Sequence, residues 1–205
     1  MSAGDAAFDA AFYDDLDGTL AELWAQLARG AADRRSGFHT VQVATAARDG
    51  GARVRTVVLR GVDRAGGTIR FHTDARSEKC ADIVAEPRIE VCAYDGRAKI
   101  QVRLRGRATV EAGDAAASAW AATRPPSRVC YRTPFAPGSR LDSPGAADPG
   151  PGARDPVDAE AGRANFRAVL VRVESIDWLY LAARGHRRAR FACDGRGWSG
   201  VWLAP

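Results

Sequence analysis

Two arginines in the stretch RTVVLRG, residues 55–61, stand at either end of Thr56, Val57, Val58 and Leu59. A run of β-branched residues and leucine belongs in a sheet, and a guanidinium is seldom fully buried without a partner. Arg55 and Arg60 therefore either reach water at the strand ends or hold an anion between them. The next apolar run ends at Thr73 and leads into DARSEK, residues 74–79, where a helical pattern begins. A helix N-terminus presents free N–H groups and the favourable end of its dipole to an anion. Arg76, Ser77 and Lys79 add donors there, and arginine's planar fork suits phosphate. The chemistry on offer is a phosphate cradle shared by an arginine-bearing strand, a threonine strand end and a helix start. The same residues also fit a plain helix cap at Ser77 with solvated charges around it, and the pattern alone leaves both readings open.

The elements that must position these residues follow from periodicity. Leu20, Leu23, Trp24 and Leu27 fall at i, i+3, i+4 and i+7, which predicts an amphipathic helix over 17–29. A β-rich block follows, with strands expected over 39–46, 53–63, 68–73, 88–95 and 98–110, joined in part by the glycine turns RDGGA and RAGG. A short helix interrupts it, starting at Ser77 and ending before Pro87. In the strand 98–110, Ile100, Val102, Leu104, Ala108 and Val110 share one face, and Lys99, Gln101, Arg103, Arg105 and Arg107 the other. A second helix is expected over about 113–122, carrying Trp120, and 134–164 reads as a long Pro/Gly-rich loop. The β pattern resumes over 166–173, 176–181, 187–193 and 198–203, the last two paired around CDGRGW. Many mostly antiparallel strands with few helices predict a mainly β protein, a β-barrel, with residues 1–205 as a single domain.

Composition narrows the function. The chain has 205 residues, with 30 Lys+Arg against 25 Asp+Glu, and its only lysines are Lys79 and Lys99, so the positive charge is almost wholly guanidinium. The acidic N-terminus has no apolar signal core, no stretch reaches the length of a membrane span, and Cys80, Cys92, Cys130 and Cys193 form no CxxC pair. These features predict a cytoplasmic protein with reduced thiols and no membrane partner. His39, His72 and His186 lack paired spacing, so no metal site is expected. Gly-rich nucleotide fingerprints and a nucleophile elbow are absent. No aromatics interleave with the basic residues of 98–110, so nucleic acid is not expected as a partner.

The segments RTVVLRG, FHTDARSEK, PRIEV and IQVRLRG together resemble the FMN-binding core of the pyridoxamine 5'-phosphate oxidase-like split-barrel flavoproteins. The likeness covers about 17–110 well and extends to WLYLAARGHRRARF near the C-terminus. It implies a split β-barrel that binds FMN at a homodimer interface. In that resemblance Arg55 through Arg60 (Thr56, Val57, Val58 and Leu59 included) run along the flavin, with Arg55 near the ring edge and Arg60 near the phosphate side. His72 and Thr73 follow on the next strand, and Arg76, Ser77 and Lys79 grip the ribityl phosphate. Gln101, Trp178 and Arg190 come from the other subunit. The flavin carries the electron chemistry, so the absence of a catalytic triad is no objection, and no catalytic side chain is assigned.

The resemblance also implies a small-molecule substrate of the kind of pyridoxamine or pyridoxine 5'-phosphate, held by Arg60, Trp120, Arg124, Ser127, His186 and Arg188. The sequence departs from the family here. Trp120 stands where a tyrosine is expected, the Arg-x-His pair becomes His186-Arg187-Arg188, and Glu78 replaces a cation beside Lys79. These departures bear on the substrate far more than on FMN. The implied activity is hydride transfer from substrate to FMN, with O2 as oxidant. The alternatives are a flavin- or haem-binding barrel without turnover, or a flavin or deazaflavin reductase of the same fold.

Overall fold

The computed structural model describes residues 12–148, 160–183 and 185–205. Helix α1 (Leu16–Ala32) is capped by Asp15, whose carboxylate accepts from Gly18 N at 2.7 Å, and buries Leu23, Trp24 and Leu27. Strands β1 (Thr40–Ala46), β2 (Ala52–Asp63) and β3 (Thr68–Asp74) follow as a meander, each tight turn containing a glycine with positive φ (Gly50, Gly67). Helix α2 (Glu78–Ala85) precedes β4 (Arg88–Asp95) and β5 (Ile100–Glu111). Helices α3 (Asp114–Ala121) and α4 (Pro125–Arg128) lead towards β6 (Phe166–Tyr180), β7 (Arg187–Cys193) and β8 (Trp198–Leu203).

The eight strands run in the order β3-β2-β1-β4-β5-β6-β7-β8, every pair antiparallel, and β6 also pairs with β3. That last pairing closes six strands into a barrel and leaves β7 and β8 as an extension. The first half of β6 pairs with β3 through Phe166–Arg172, and its second half with β7 through Ser175–Tyr180. The two strands expected over 166–173 and 176–181 are thus one. Their apparent break is an irregularity opposite Arg105 and Gly106, where β6 changes neighbours. A Cβ on Gly106 would lie 2.0 Å from Arg172 O, so only glycine allows this approach. The strand expected from 98 starts at Ile100, because Lys99 has a positive φ of 55° and belongs to the turn.

The inward faces carry the alternation expected of them. Val41, Val43, Leu59, Phe71, Val91, Val102, Val169 and Val171 fill the barrel, and α1 lays Leu23, Trp24 and Leu27 on the same cluster. Each such side chain contributes about 1.5–3 kcal/mol on burial. A second cluster, Ala116, Ala119, Trp120, Tyr131, Phe166 and Ala168, seats α3 on the start of β6. In the expected loop 134–164, residues 134–148 hold one 3-10 turn (Pro144–Ala147), while 149–159 lie outside the described residues. Among the described residues no helix is long and apolar enough to cross a membrane.

Candidate functional site

Arg55 and Arg60 sit on opposite faces of β2. Arg53, Arg55, Val57 and Leu59 alternate inward, and Thr56 is exposed. The β2–β3 register then slips between Leu59 and Gly61, which makes Arg60 the extra, bulged residue. A bulge re-aims a side chain, and Arg60 is exposed as a result. The slip also leaves part of β2 with one neighbour only. β1 pairs with β2 from Ala52 to Val58, whereas β3 pairs with it only from Leu59 to Asp63. One backbone edge of Arg55–Val58 is therefore open towards the end of β3.

Arg55, Thr73, Ser77 and Lys79 gather at that open edge. Arg55 donates through Nη1 to Thr45 Oγ1 at 2.7 Å and to Val43 O at 3.3 Å, and its Nη2 lies 3.8 Å from Asp82 Oδ2. Burial lowers its pKa, and the Asp82 carboxylate opposes that shift. Lys79 Nζ donates to Thr73 Oγ1 at 2.9 Å, and Thr73 Oγ1 lies 3.2 Å from Ser77 Oγ. Burial also lowers the Lys79 pKa, and the Arg55 charge nearby acts in the same direction. Two cations, a threonine and the start of α2 thus meet in one half-buried place, a donor set suited to phosphate.

Several expected members behave differently. Arg55, not Arg60, is the arginine beside Lys79. Arg76 does not join the cradle: it grips both oxygens of Asp74 at 2.7 and 3.0 Å and reaches Thr133 O at 3.0 Å, tying α2's approach to the following loop. Ser77 stands at the N-cap without capping, because its hydroxyl donates to Asp74 O at 2.7 Å. Leu59 is fully buried, so only its backbone could meet a ligand. Glu78 turns to Arg53 at 2.9 Å. Trp178 is 1% exposed and packs edge-on to Phe12 within the barrel core, so its indole is not presented to a second chain. Gln101 on β5 and Arg190 on β7 face outward; β1 and β4 separate Gln101 from β2 in the sheet, and β3 and β6 separate Arg190 from it across the barrel closure.

A cavity of about 780 Å³ lies on the Arg60 side, between the end of α1 and the α3–α4 turn. Arg60, Arg124 and Ser127, three of the expected substrate residues, line it together with Arg34, Arg70 and His72. His72 and Thr73 point to opposite sides of β3, so His72 faces this cavity while Thr73 faces Lys79. Burial, and then the charges of Arg70 and Arg60, press the His72 pKa down to about 4, and its Nε2 is buried with no hydrogen-bond partner. The remaining expected residues lie elsewhere. Trp120 is 2% exposed in the second core cluster, its N–H donated to Glu160 at 3.2 Å. His186 and Arg188 line a separate groove of about 350 Å³ with Asp14 and Trp202.

Three features escaped the sequence reading. Arg70 shares a face of β3 with His72, which simple alternation could have revealed. Asp82 and Thr45 hold Arg55 across a long sequence separation, for which the sequence offers no signal. Asp177 accepts from Arg188 at 2.9 and 3.1 Å and from Arg103 at 3.0 Å, with Arg190 at 3.7 Å. Burial pushes the Asp177 pKa up, but these arginines outweigh it and hold the carboxyl below its usual range.

Comparison with known proteins places this geometry in context. Residues 21–112 match the family model described as pyridoxamine 5'-phosphate oxidase, FMN-binding domain. The chain is 32% identical over 178 residues to pyridoxine/pyridoxamine 5'-phosphate oxidase 2 of Arabidopsis thaliana, covering 80% of this chain and 86% of that protein. It is 31% identical over 176 residues to pyridoxine/pyridoxamine 5'-phosphate oxidase of Gluconobacter oxydans, covering 82% and 84%. Among solved structures it is similar to a pyridoxamine 5'-phosphate oxidase-related, FMN binding protein of Nostoc punctiforme, with TM-score 0.69, 24% identity and coverage of 96% and 98%. PhzG from Burkholderia lata, solved with tetrahydrophenazine-1-carboxylic acid, gives TM-score 0.72 at 20% identity, covering 96% and 97%. At these identities the two structures speak for the split-barrel fold.

Proposed function

Since the chain belongs to the pyridoxamine 5'-phosphate oxidase family of FMN-binding proteins, we propose that it is an FMN-dependent oxidoreductase acting on a small anionic substrate. The observation that carries this reading is the gathering of Arg55, Thr73 and Lys79 at the open backbone edge of β2. Arg55 and Lys79 hold the FMN phosphate, with Thr73 and Ser77 as hydroxyl partners. Thr56, Val57 and Val58 offer backbone donors and acceptors along the cofactor. FMN, when bound, supplies the hydride-accepting ring. Arg60, Arg124 and Ser127 hold the substrate's anionic group in the neighbouring cavity, and the walls of that cavity fix its orientation.

A second copy of the chain completes the site. Gln101 and Arg190 lie two strands or more from the same protomer's Arg55, and the outward faces of β2 and β4 expose Val54 and Tyr94. Stacking two such faces brings one protomer's Gln101 and Arg190 towards its partner's FMN, and sedimentation should return twice the 21.9 kDa chain mass.

Titration with FMN, followed by quenching of flavin fluorescence, tests the cofactor. The purified protein should bind it tightly, and Lys79→Ala should weaken binding about tenfold or more, the loss of one charged hydrogen bond. A wild-type protein that leaves FMN fluorescence unchanged would refute the proposal. The burial of Trp120 favours a substrate other than a vitamin B6 phosphate. Following pyridoxal 5'-phosphate formation from pyridoxamine and pyridoxine 5'-phosphates tests that point directly. The reading without turnover is separated by reduction of the bound flavin with NAD(P)H or substrate amines.

A further inference from the structure

The Arg60 cavity holds more recognition groups than one phosphate requires. Arg60, thrown into it by the bulge, meets Arg124 and Ser127 from the α4 side, and those three already make a complete set for a phosphate. Arg70 and His72 line the β3 side of the same space. The Arg70 guanidinium lies over Gly61, where a Cβ would come within 3.2 Å of its Nε and of one terminal nitrogen. Glycine at 61 therefore lets this cation lie flat against the strand, on the other side of the bulge from Arg60.

Arg70 Nε and His72 Nε2 are both buried and both without a hydrogen-bond partner. Buried polar atoms left unpaired are unfavourable, and native structures seldom keep them without a reason. Arg70 and His72, two residues apart on one face of one strand, both line a cavity large enough for a whole small molecule. The cavity's one carboxylate, Asp33, is already engaged by the Arg35 side chain and backbone N–H. No negative group of the described residues answers Arg70.

We propose that Arg70 and His72 form a second anion-reading point in this cavity, so that the substrate carries two anionic groups, a phosphate held by Arg60, Arg124 and Ser127 and a carboxylate held by Arg70 and His72. Arg70 supplies the charge. The neutral imidazole of His72 supplies a directed N–H without adding a further charge beside two guanidiniums. The inference rests on the FMN-oxidoreductase reading only in taking this cavity as the substrate's.

A matched pair of probes tests it on the FMN-loaded protein. Glycerol 3-phosphate carries one anionic group, and 3-phosphoglycerate adds a carboxylate on a three-carbon frame. Calorimetry should show 3-phosphoglycerate binding about tenfold more tightly, the equivalent of one charge-assisted hydrogen bond. Arg70→Met should abolish that preference while leaving glycerol 3-phosphate within about twofold, and Arg60→Ala should weaken both probes. His72→Gln, which keeps a side-chain N–H donor, should retain more of the preference than His72→Phe. Equal affinity of the wild-type protein for the two probes overturns the inference without recourse to any variant. So does Arg70→Met weakening both probes alike, or a protein that binds neither. FMN binding measured on the same samples separates these outcomes from failure of the cofactor reading, which alone would abolish flavin quenching.

Discussion

Arg55 and Arg60 come from one strand, yet their surroundings differ in kind. Arg55 commits its donors to Thr45 and Val43 beside the buried Asp82, and Arg53 on the same face faces Asp82 and Glu78. Arg60 opens on a cavity with Arg70 and Arg124, where the one carboxylate belongs to Arg35. At the first end the protein supplies most of its own counter-charge and needs a ligand chiefly for Lys79. At the second end counter-charge must come from outside. A fold that balances one cationic cluster and leaves its neighbour unbalanced separates a tightly held group from one that exchanges.

The sharpest way to break that comparison is to remove the internal counter-charge. Asp82→Ala leaves Arg55 half-buried beside Lys79 without its ion-pair carboxylate and takes the acceptor from Thr45. Stripping one partner from a buried charged cluster is costly, and after allowance for the partial exposure of Arg55 we expect a loss of about 2 kcal/mol in urea unfolding. Arg60→Ala should change stability by less than about 0.5 kcal/mol, as for an exposed substitution, while weakening an anionic ligand. Equal destabilisation by the two variants would erase the distinction.

His72 sharpens the comparison through pH. Its folded-state pKa of about 4 lies below its ordinary value of 6.5, chiefly because it is buried and then because Arg70 and Arg60 oppose a third charge. Between those values the unfolded chain holds a proton that the folded chain does not, so stability falls as pH drops from 6.5 towards 4. Above 6.5 the contribution is fully present. Melting temperatures across this window should fall less steeply for His72→Gln than for the wild type. A saturating anion in the cavity should flatten the wild-type curve as well, because it offsets the charges that disfavour the imidazolium. Identical slopes for both proteins would remove His72 from the cavity's electrostatics.

Much of this architecture could be read from the sequence because alternation is a local property. The faces of β5, the ends of β4 and the helix carrying Leu23, Trp24 and Leu27 all follow from side-chain periodicity. What alternation cannot give is where it fails. The bulge at Arg60 and the irregularity in β6 arise from closing the barrel, a constraint set by distant strands. They decided which arginine meets Lys79 and whether 166–181 is one strand or two. Trp120 and Trp178 were ambiguous for another reason, since a large aromatic serves a core or a ligand equally well and only packing decides. Arg76 is held by Asp74, two residues before it, a local pairing that alternation does not show. Phosphate chemistry was legible as a residue set, and its geometry was not.

The smallest expected effect concerns Glu78, which stands where the family resemblance implies a cation. Its pair with Arg53 is mostly exposed, with side-chain exposures of 74% and 37%, so breaking it should alter stability by less than about 0.5 kcal/mol. Its effect on FMN has the opposite sign to that of Lys79. A carboxylate at the start of α2 repels a dianionic phosphate held one residue away, weakly because water screens it. Glu78→Gln removes the repulsion and takes from Arg53 its nearest carboxylate, leaving Asp82 and Asp49 at 3.8 and 4.0 Å. FMN affinity should therefore rise, by about two- to threefold at low salt, and the gain should shrink as ionic strength increases. A fall in affinity would mean that Glu78 holds Arg53 in a position the cofactor needs, and would move Arg53 from the balanced end of β2 into the FMN site itself.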